Sequence, residues 1–188
     1  MIYFISDTHF NHDKSFIYGP RGFGSIEDAD NTIIGNWNSV VSPSDEVYML
    51  GDFFMGTDME YIEEVLGILN GTIHLITGNH DTPAKIELYR RSPNICEISD
   101  AKWFTYNKRK FYLSHFPMMT ANYGDNPKTA VYNIHGHTHS KYKFFQNSPY
   151  MYNVACDAQN NTPASIDTIM SDIDLMIDAC TDDFGWSD

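Results

Sequence analysis

Short hydrophobic runs that each end in polar residues recur along this chain, and they constrain its fold more than any other feature. Runs of this length predict β-strands, because strands in globular proteins are usually short. They cover residues 2–5, 47–50, 73–76, 110–114 and 131–134. Amphipathic periodicity predicts helices elsewhere, at residues 26–38, 58–70, 83–91 and 166–177. Strands that alternate with helices indicate an α/β domain.

The second half of the chain contains more predicted strands than the first half. Residues 102–106 and 110–114 flank the turn-forming Asn107-Lys108-Arg109 and predict a hairpin. Residues 141–145 and 150–154 predict a further antiparallel pair.

Length and composition favour a single domain in a reducing compartment. The 188 residues contain no linker or repeat, so we expect one domain over residues 1–180 and an acidic tail over residues 181–188. No apolar run approaches the ~20 residues that cross a bilayer, so we expect no membrane association. The three cysteines are far apart and lack metal-ligand spacing, which favours free thiols and a cytoplasmic location.

The net charge of −13 limits the partners that such a chain attracts. Non-specific binding to nucleic acid depends on basic residues that neutralise phosphates, so a long nucleic acid is not expected. The charge therefore argues against a long polyanionic partner, and it does not argue against small or short phosphate compounds. The sequence gives no indication of the oligomeric state.

Polar clusters directly follow five of the predicted strands. Their members are Asp7, His9, Asp52, Asn79, His80, His115, His137 and His139. In open α/β sheets, ligands bind outside the carboxyl ends of the strands. We therefore expect these side chains to form one site at one edge of the fold.

The donor atoms of these clusters indicate two metal ions. Carboxylate, amide and imidazole ligands without thiolate suit Mn, Fe, Zn, Ni or Co better than Mg or Ca. Seven candidate ligands are more than one ion needs, and a shared carboxylate can hold two ions about 3.5–4 Å apart. The sequence therefore predicts two divalent ions per chain, with Mn as the first candidate.

Asp-x-His, Gly-Asp, Gly-Asn-His-Asp, His and Gly-His-x-His follow one another in this order between residues 5 and 139. The series resembles the calcineurin-like metallophosphoesterase superfamily. Trp37-Asn38, and Asn153-Val154 followed by Asp157, are similar to a small, uncapped bacterial and phage branch of it. The resemblance implies an α/β fold in which a two-sheet β-sandwich is flanked by helices in four layers.

The resemblance also implies a role for each ligand. The first ion would be held by Asp7, His9 and His139, and the second by Asn79, His115 and His137. Asp52 would bridge the two ions, and His80 would lie near the leaving-group oxygen. Two ions lower the pKa of a bridging water, so the implied reaction is attack of metal-bridging hydroxide on phosphorus with His80 as proton donor.

Two positions depart from the family pattern. Many members carry an acidic residue that steadies the catalytic histidine where this chain has Met55, so Asp81 or Asp58 is the candidate partner of His80. Asn11 stands where the branch usually has glycine. Because that loop borders the site, the substrate choice of this chain is expected to differ.

Three residues of the first loops are candidate substrate contacts. His12 is expected either to contact substrate or to pack within its loop, and Asn11 lies beside it. Arg21 has a guanidinium that binds phosphate well, with a solvated surface position as the alternative. His135 is expected to support the Gly-His-x-His turn without binding a metal ion.

The predicted function is that of a metal-dependent phosphoric ester hydrolase, a phosphatase or a phosphodiesterase. Retention of His80 and of every metal position disfavours a non-catalytic scaffold on the same fold. The acidic charge and the lack of an added binding domain disfavour a metal-dependent nuclease. The small size predicts an open cleft without a cap domain.

Overall fold

The computed structural model describes residues 1–123 and 126–184, with side chains described through residue 180. In chain order the elements are β1 (Ile2–Ile5), α1 (Ser15–Tyr18), α2 (Ile26–Val40), β2 (Glu46–Met49), α3 (Met59–Ile68), β3 (Thr72–Ile76), α4 (Pro83–Tyr89), β4 (Ile95–Ser99), β5 (Ala101–Tyr106), β6 (Arg109–Ser114), β7 (Val131–His135), β8 (Met151–Asn153), β9 (Ala164–Ser165) and α5 (Ile166–Phe184). The order confirms the predicted α/β class.

The strands form two mixed sheets. The first sheet has the order β4-β3-β2-β1-β9, and only β9 runs antiparallel to its neighbour. The second has the order β5-β6-β7-β8, in which β5 and β6 form the predicted hairpin and the other pairs are parallel. Two mixed sheets flanked by helices confirm the fold that the resemblance implies.

Two hydrophobic clusters hold these layers together. Ile33 and Trp37 of α2 and Leu66 of α3 pack with Val47 and Met49 of β2, so the helices cover one face of the first sheet. The opposite face packs against the second sheet. Its cluster includes Phe4, Tyr48, Leu50, Ile76, Phe111, Leu113, Tyr132, Ile134, Tyr152, Ile169 and Ile173. Alternate residues of β1, β2 and β3 thus face different cores, as the two-residue period of a strand requires.

Local signals in the sequence explain where several elements begin and turn. The side chain of Ser25 accepts a hydrogen bond from the backbone N–H of Asp28, and Asp58 caps α3 in the same way. Asn107 and Lys108 both have positive φ angles, of 46° and 67°. Two such residues between paired strands match the type I′ turn that suits the twist of a hairpin.

One predicted strand pair is wrong. Residues 141–145 form no strand, and a single antiparallel bridge joins Phe144 to Tyr152, while β8 pairs in parallel with β7. The side-chain amide of Asn153 donates to the carbonyls of Ser140 and Tyr142, which holds this segment as a loop. Aromatic residues in that loop mimic a strand pattern. The sequence prediction also missed α1, β4 and β9.

The C-terminal helix is longer than predicted. α5 continues to Phe184, past the expected end of the domain at residue 180. The rest of the predicted tail, residues 185–188, lies outside the described residues. The division into a domain and a tail therefore stays a prediction. Among the described helices, none is long and apolar enough to cross a membrane.

Candidate metal centre

Five strands, each parallel to at least one neighbour within its sheet, are followed by the predicted ligands. Asp7 and His9 follow β1, Asp52 follows β2, and Asn79 follows β3 in the first sheet. The second sheet supplies the remaining ligands at the ends of β6 and β7, namely His115, His137 and His139. Both sheets thus contribute to one site, as the position of the motifs predicts.

The first group of possible ligands consists of Asp7, His9 and His139. One ligand atom from each lies within 4.8 Å of the others. The Nε2 atoms of His9 and His139 are 3.1 Å apart, and His139 Nε2 is 3.7 Å from Asp7 Oδ1. Asp7 and His9 are buried, whereas the side chain of His139 is 34% exposed. The group is therefore open to solvent on one side.

The second group consists of Asp52, His115 and His137, with ligand atoms again within 4.8 Å of one another. His115 Nε2 is 3.2 Å from His137 Nδ1 and 3.1 Å from Asn79 Oδ1. The other nitrogen of His115 donates to the carbonyl of Leu50 at 2.8 Å, which leaves Nε2 with its lone pair for a metal ion. Asn79 joins this group as the resemblance implies.

Asp52 lies between the two groups. Its Oδ2 atom is 3.7 Å from His9 Nε2 and 3.4 Å from His115 Nε2. Burial opposes ionisation of Asp52, but the electrostatic attraction of His115 and the hydrogen bond from the backbone N–H of His80 outweigh it and hold the pKa of this carboxyl below its usual value. A carboxylate that stays ionised and faces both groups is suited to bridge two cations.

Asp7 provides an independent test of whether this site fits a cation. Its Oδ2 atom accepts hydrogen bonds from the hydroxyl of Ser6 at 2.6 Å and from the backbone N–H of His137 at 2.8 Å. Its Oδ1 atom is buried and has no hydrogen-bond partner among the described residues. An unpaired buried carboxylate oxygen costs free energy unless something neutralises it, so the site fits a bound cation.

The ligand loops adopt an unusual backbone conformation. Left-handed φ angles occur at Asp7 (55°), His9 (49°), Asp52 (55°), His137 (68°) and His139 (47°). A left-handed φ at a residue other than glycine costs on the order of 1 kcal/mol or more, and such strain concentrates at functional sites. The tight turns aim side chains from short loops into a common centre.

Gly136 allows the ligand loops to approach each other. A Cβ atom at this position would collide with the hydroxyl of Ser6 and the carboxylate of Asp7. A side chain there would force the loop after β7 away from the loop after β1. Gly136 is therefore needed for the two halves of the first group to meet.

His80 borders the two groups without belonging to either. Its backbone N–H donates to Asp52 Oδ1 at 2.8 Å, and its Nε2 lies 4.0 Å from Asp52 Oδ2. The ring is 5.5 Å from that of His9, and the side chain is 40% exposed. His80 thus lies on the solvent-accessible side of the two groups.

Lys85 holds the His80 loop, and the sequence prediction missed it. Its buried Nζ donates to the carbonyls of His80 at 2.9 Å, Phe54 at 2.6 Å and Met55 at 3.2 Å. Burial lowers the pKa of Lys85. The helical spacing of Lys85, Leu88 and Tyr89 could have predicted that Lys85 is buried, because the three residues share the buried face of α4.

The structure places both candidate partners of the His80 ring elsewhere. The carboxylate of Asp81 accepts hydrogen bonds from the backbone N–H groups of Asp52 at 2.9 Å and Gly78 at 2.8 Å, and from the hydroxyl of Tyr89. Asp58 caps α3. Asp81 therefore ties the loops after β2 and β3 together, and no contact between it and the His80 ring is found among the described residues.

Arg21 is placed differently from either expectation. Its side chain is only 2% exposed, so it is not solvated. Its Nη2 and Nε atoms donate to the two carboxylate oxygens of Asp157 at 2.9 and 3.2 Å, and Nη2 also donates to the carbonyl of Asp7. A guanidinium that is already paired in this way is not free to bind a phosphate.

Asp157 connects Arg21 to the first group of ligands. The Nδ1–H of His139 donates to Asp157 at 3.1 Å, which leaves His139 Nε2 to face the site. Burial opposes ionisation of Asp157, but the hydrogen bonds from His139 and Arg21 outweigh it and hold its pKa below the usual value. The structure thus adds Asp157 as a residue that orients a ligand.

The two other candidate substrate contacts lie beside the site. Asn11 has a φ of 61°, a conformation that glycine adopts readily and asparagine tolerates, so asparagine fits a position where the resemblance implies glycine. Its side-chain amide lies against Gly56, so it packs between loops. The ring of His12 is 5.4 Å from that of His9, close to the centre. His135 is buried, and its Nδ1–H donates to the carbonyl of Gly136.

Comparison with protein families and curated proteins gives concordant matches. The sequence model described as "Calcineurin-like phosphoesterase superfamily domain" matches residues 1–166. An uncharacterized protein of Methanocaldococcus jannaschii, MJ1445, is 35% identical over 177 residues, which cover 90% of this chain and 89% of that protein. The gene 66 protein of Mycobacterium phage L5 is 27% identical over 165 residues, which cover 73% of this chain and 77% of that protein.

A solved structure shares the fold. The protein AQ665 from Aquifex aeolicus, described as of unknown function, superposes with a TM-score of 0.69 at 26% identity. The match covers 91% of this chain and 98% of that structure. The similarity therefore extends over both sheets.

Proposed function

Because the chain belongs to the calcineurin-like phosphoesterase superfamily, we propose that it hydrolyses a phosphomonoester or phosphodiester at a centre of two divalent metal ions. The observation that carries the proposal is the position of Asp52, whose Oδ2 faces a ligand of each group at 3.7 and 3.4 Å. A carboxylate in this position can hold two ions at the short separation that two-metal hydrolysis uses.

Each side chain of the site has a separate role in the proposed reaction. Asp7, His9 and His139 would hold one ion, and Asn79, His115 and His137 the other, with Asp52 shared. The exposed ring of His80 would donate a proton to the departing oxygen, a contribution of about 10²–10⁴ in rate. Lys85 holds the His80 backbone, and Asp157 orients His139.

Bound ions supply the chemistry that these side chains lack, namely a nucleophile derived from water near neutral pH and neutralisation of the phosphoryl oxygens. The mixture of carboxylate, amide and imidazole ligands favours Mn, with Fe, Ni, Zn and Co as alternatives. The buried and unpaired Asp7 Oδ1 supports a tightly held cation in the first group.

We further propose a small or short substrate and a cytoplasmic site of action. The net charge of −13 repels long polyanions, and the three free cysteines suit a reducing compartment.

The test is hydrolysis of p-nitrophenyl phosphate and bis-p-nitrophenyl phosphate by metal-stripped protein supplied with Mn²⁺, Ni²⁺, Zn²⁺ or Mg²⁺. Activity is expected with Mn²⁺ or Ni²⁺, and His80→Ala is expected to lose about a hundredfold or more while it keeps its metal ions. Asp52→Asn is expected to lose both activity and bound metal.

His74→Ala is the matched control, because His74 lies in β3 and contacts Glu46 and Glu97, away from the centre. Its activity is expected to stay within about twofold of the original protein. Protein that holds two ions per chain but hydrolyses neither ester with any metal would contradict the proposed function.

A further inference from the structure

Two exposed phenylalanines lie beside the metal centre. Phe16 is 70% exposed and Phe116 is 47% exposed. Scattered apolar side chains on a surface need no explanation, but these two are in contact with histidines of the site. Their position is therefore informative in a way that the exposed Trp103 on β5 is not.

Phe116 lies at the second group of ligands. Its ring is 4.6 Å from that of His137 and 5.0 Å from that of His115, in both cases edge to face. Such contacts hold the ring in one orientation while nearly half of its surface remains accessible. A flat group attached to a phosphate at the centre would meet this ring.

Phe16 lies at the first group. Its ring contacts His12 edge to face at 5.8 Å, and His12 is 5.4 Å from His9. His80 is 5.5 Å from the same His9 ring, so the proposed proton donor and His12, which Phe16 contacts, both lie beside this ligand. The departing group of an ester would therefore lie toward Phe16, and the group that stays on phosphorus toward Phe116.

We infer that Phe16 and Phe116 bind the two organic groups of a phosphodiester, and that the substrate carries a planar aromatic group, such as a nucleobase, on each side of its phosphate. The inference rests on the proposed function and narrows its substrate to short nucleotide-like diesters. Hydrolysis adds water across one P–O bond and yields a phosphomonoester and an alcohol.

The charge of the chain supports stacking as the source of affinity. Because the net charge of the protein is −13, it attracts a chain of phosphates only weakly. Two cations are buried near the centre, and both are already engaged: Arg21 pairs with Asp157, and Lys85 donates to three backbone carbonyls. Stacking of a base on an aromatic side chain does not depend on charge and contributes about 1–3 kcal/mol per base.

The first experiment compares two diesters with the same leaving group, bis-p-nitrophenyl phosphate and methyl p-nitrophenyl phosphate. Phe116→Ala is expected to lower kcat/KM for the first by about fivefold more than for the second, because only the first has an aromatic group that stays on phosphorus. Phe16→Ala is expected to lower both by the same factor. Phe116→Leu is expected to behave like Phe116→Ala, and Phe116→Tyr like the original protein.

The matched control is Trp103→Ala, since Trp103 is 61% exposed on β5 and contacts Tyr112 rather than the site. It is expected to leave the ratio of the two diesters unchanged. If Phe116→Ala also leaves that ratio unchanged while the original protein hydrolyses both diesters, the inference is wrong and the proposed function stands.

The second experiment measures binding without turnover. Mn²⁺-loaded His80→Ala protein is titrated with the dinucleoside monophosphate TpT, and the dissociation constant is measured by calorimetry. Adding Phe16→Ala or Phe116→Ala is expected to weaken binding about fivefold or more each. Unchanged binding would overturn the inference. A thymidine 12-mer tests whether the diester comes from a free dinucleotide or from a longer strand. A free dinucleotide substrate predicts that one protein chain binds the 12-mer no more tightly than it binds TpT.

Discussion

Arg21 donates two hydrogen bonds to the carboxylate of Asp157, at 2.9 and 3.2 Å, although the two residues are 136 positions apart in the sequence. Asp157 in turn accepts from His139 Nδ1 at 3.1 Å. The pair therefore fixes the orientation of a candidate metal ligand from outside the site, as carboxylates that support histidine ligands commonly do.

Asp157→Asn is expected to weaken metal binding at the first group by about 10- to 100-fold, because the amide no longer fixes His139 with a charged acceptor. Equilibrium dialysis with Mn²⁺ measures the effect. Asp174→Asn serves as the control, since Asp174 lies on α5, pairs with Arg109 of β6 and is 55% exposed. Equal metal affinity of the two variants would show that Asp157 does not orient the ligand.

Lys85→Met is expected to lower kcat for p-nitrophenyl esters and to reduce the free energy of unfolding by about 1–3 kcal/mol. The reason is that the carbonyls of His80 and Phe54 lose a buried donor. Urea unfolding of the metal-free protein and steady-state kinetics measure the two effects. Lys102→Met is the control, since its ammonium pairs with Glu97 at the far edge of the first sheet. A variant with unchanged stability would contradict this role.

Gly136→Ala is expected to destabilise the protein and to lower its metal affinity, because a Cβ collides with Ser6 and Asp7. Gly35→Ala is the matched comparison, since no atom lies within 4 Å of a Cβ at that helical position. It is expected to raise the free energy of unfolding by about 0.5–1 kcal/mol. Thermal unfolding of both variants tests the contrast, and effects of the same sign would contradict it.

The burial of His135 is expected to make the protein less stable in mild acid. Burial lowers its pKa from 6.5 to about 4, so the unfolded chain binds its proton first as the pH falls. The free energy of unfolding should therefore decrease between pH 6.5 and about 4, with a contribution of about 2 kcal/mol from pH 7 to pH 5. Urea unfolding of the metal-free protein, compared with His135→Gln, measures the contribution. Parallel pH profiles for both proteins would rule it out.

The positions of the candidate metal ligands were predictable from the sequence because each residue lies close to a strand end. Strand position fixes where such residues meet, so local motifs sufficed for Asp7, Asp52 and His115. The pairing of Arg21 with Asp157 depends on how two distant loops pack. No local pattern encodes that contact, so the sequence alone predicts either a substrate contact or a solvated position for Arg21.

The errors in the fold have a similar origin. The segment 141–145 has the aromatic content of a strand, but the Asn153 side chain binds its carbonyls and left-handed φ angles follow at Gln146 and Asn147. Side-chain hydrogen bonds to the backbone compete with sheet pairing, and hydrophobic periodicity does not register them.

The most direct test of the central claim is the EPR spectrum of the Mn²⁺-loaded protein. Two ions bridged by Asp52 at about 3.5–4 Å should give an exchange-coupled spectrum with two ions per chain. Asp52→Asn should lose the coupling, whereas His74→Ala should retain it. A spectrum of isolated Mn²⁺ ions from the original protein, in samples that hydrolyse phosphate esters at the full rate, would contradict a two-metal centre bridged by Asp52.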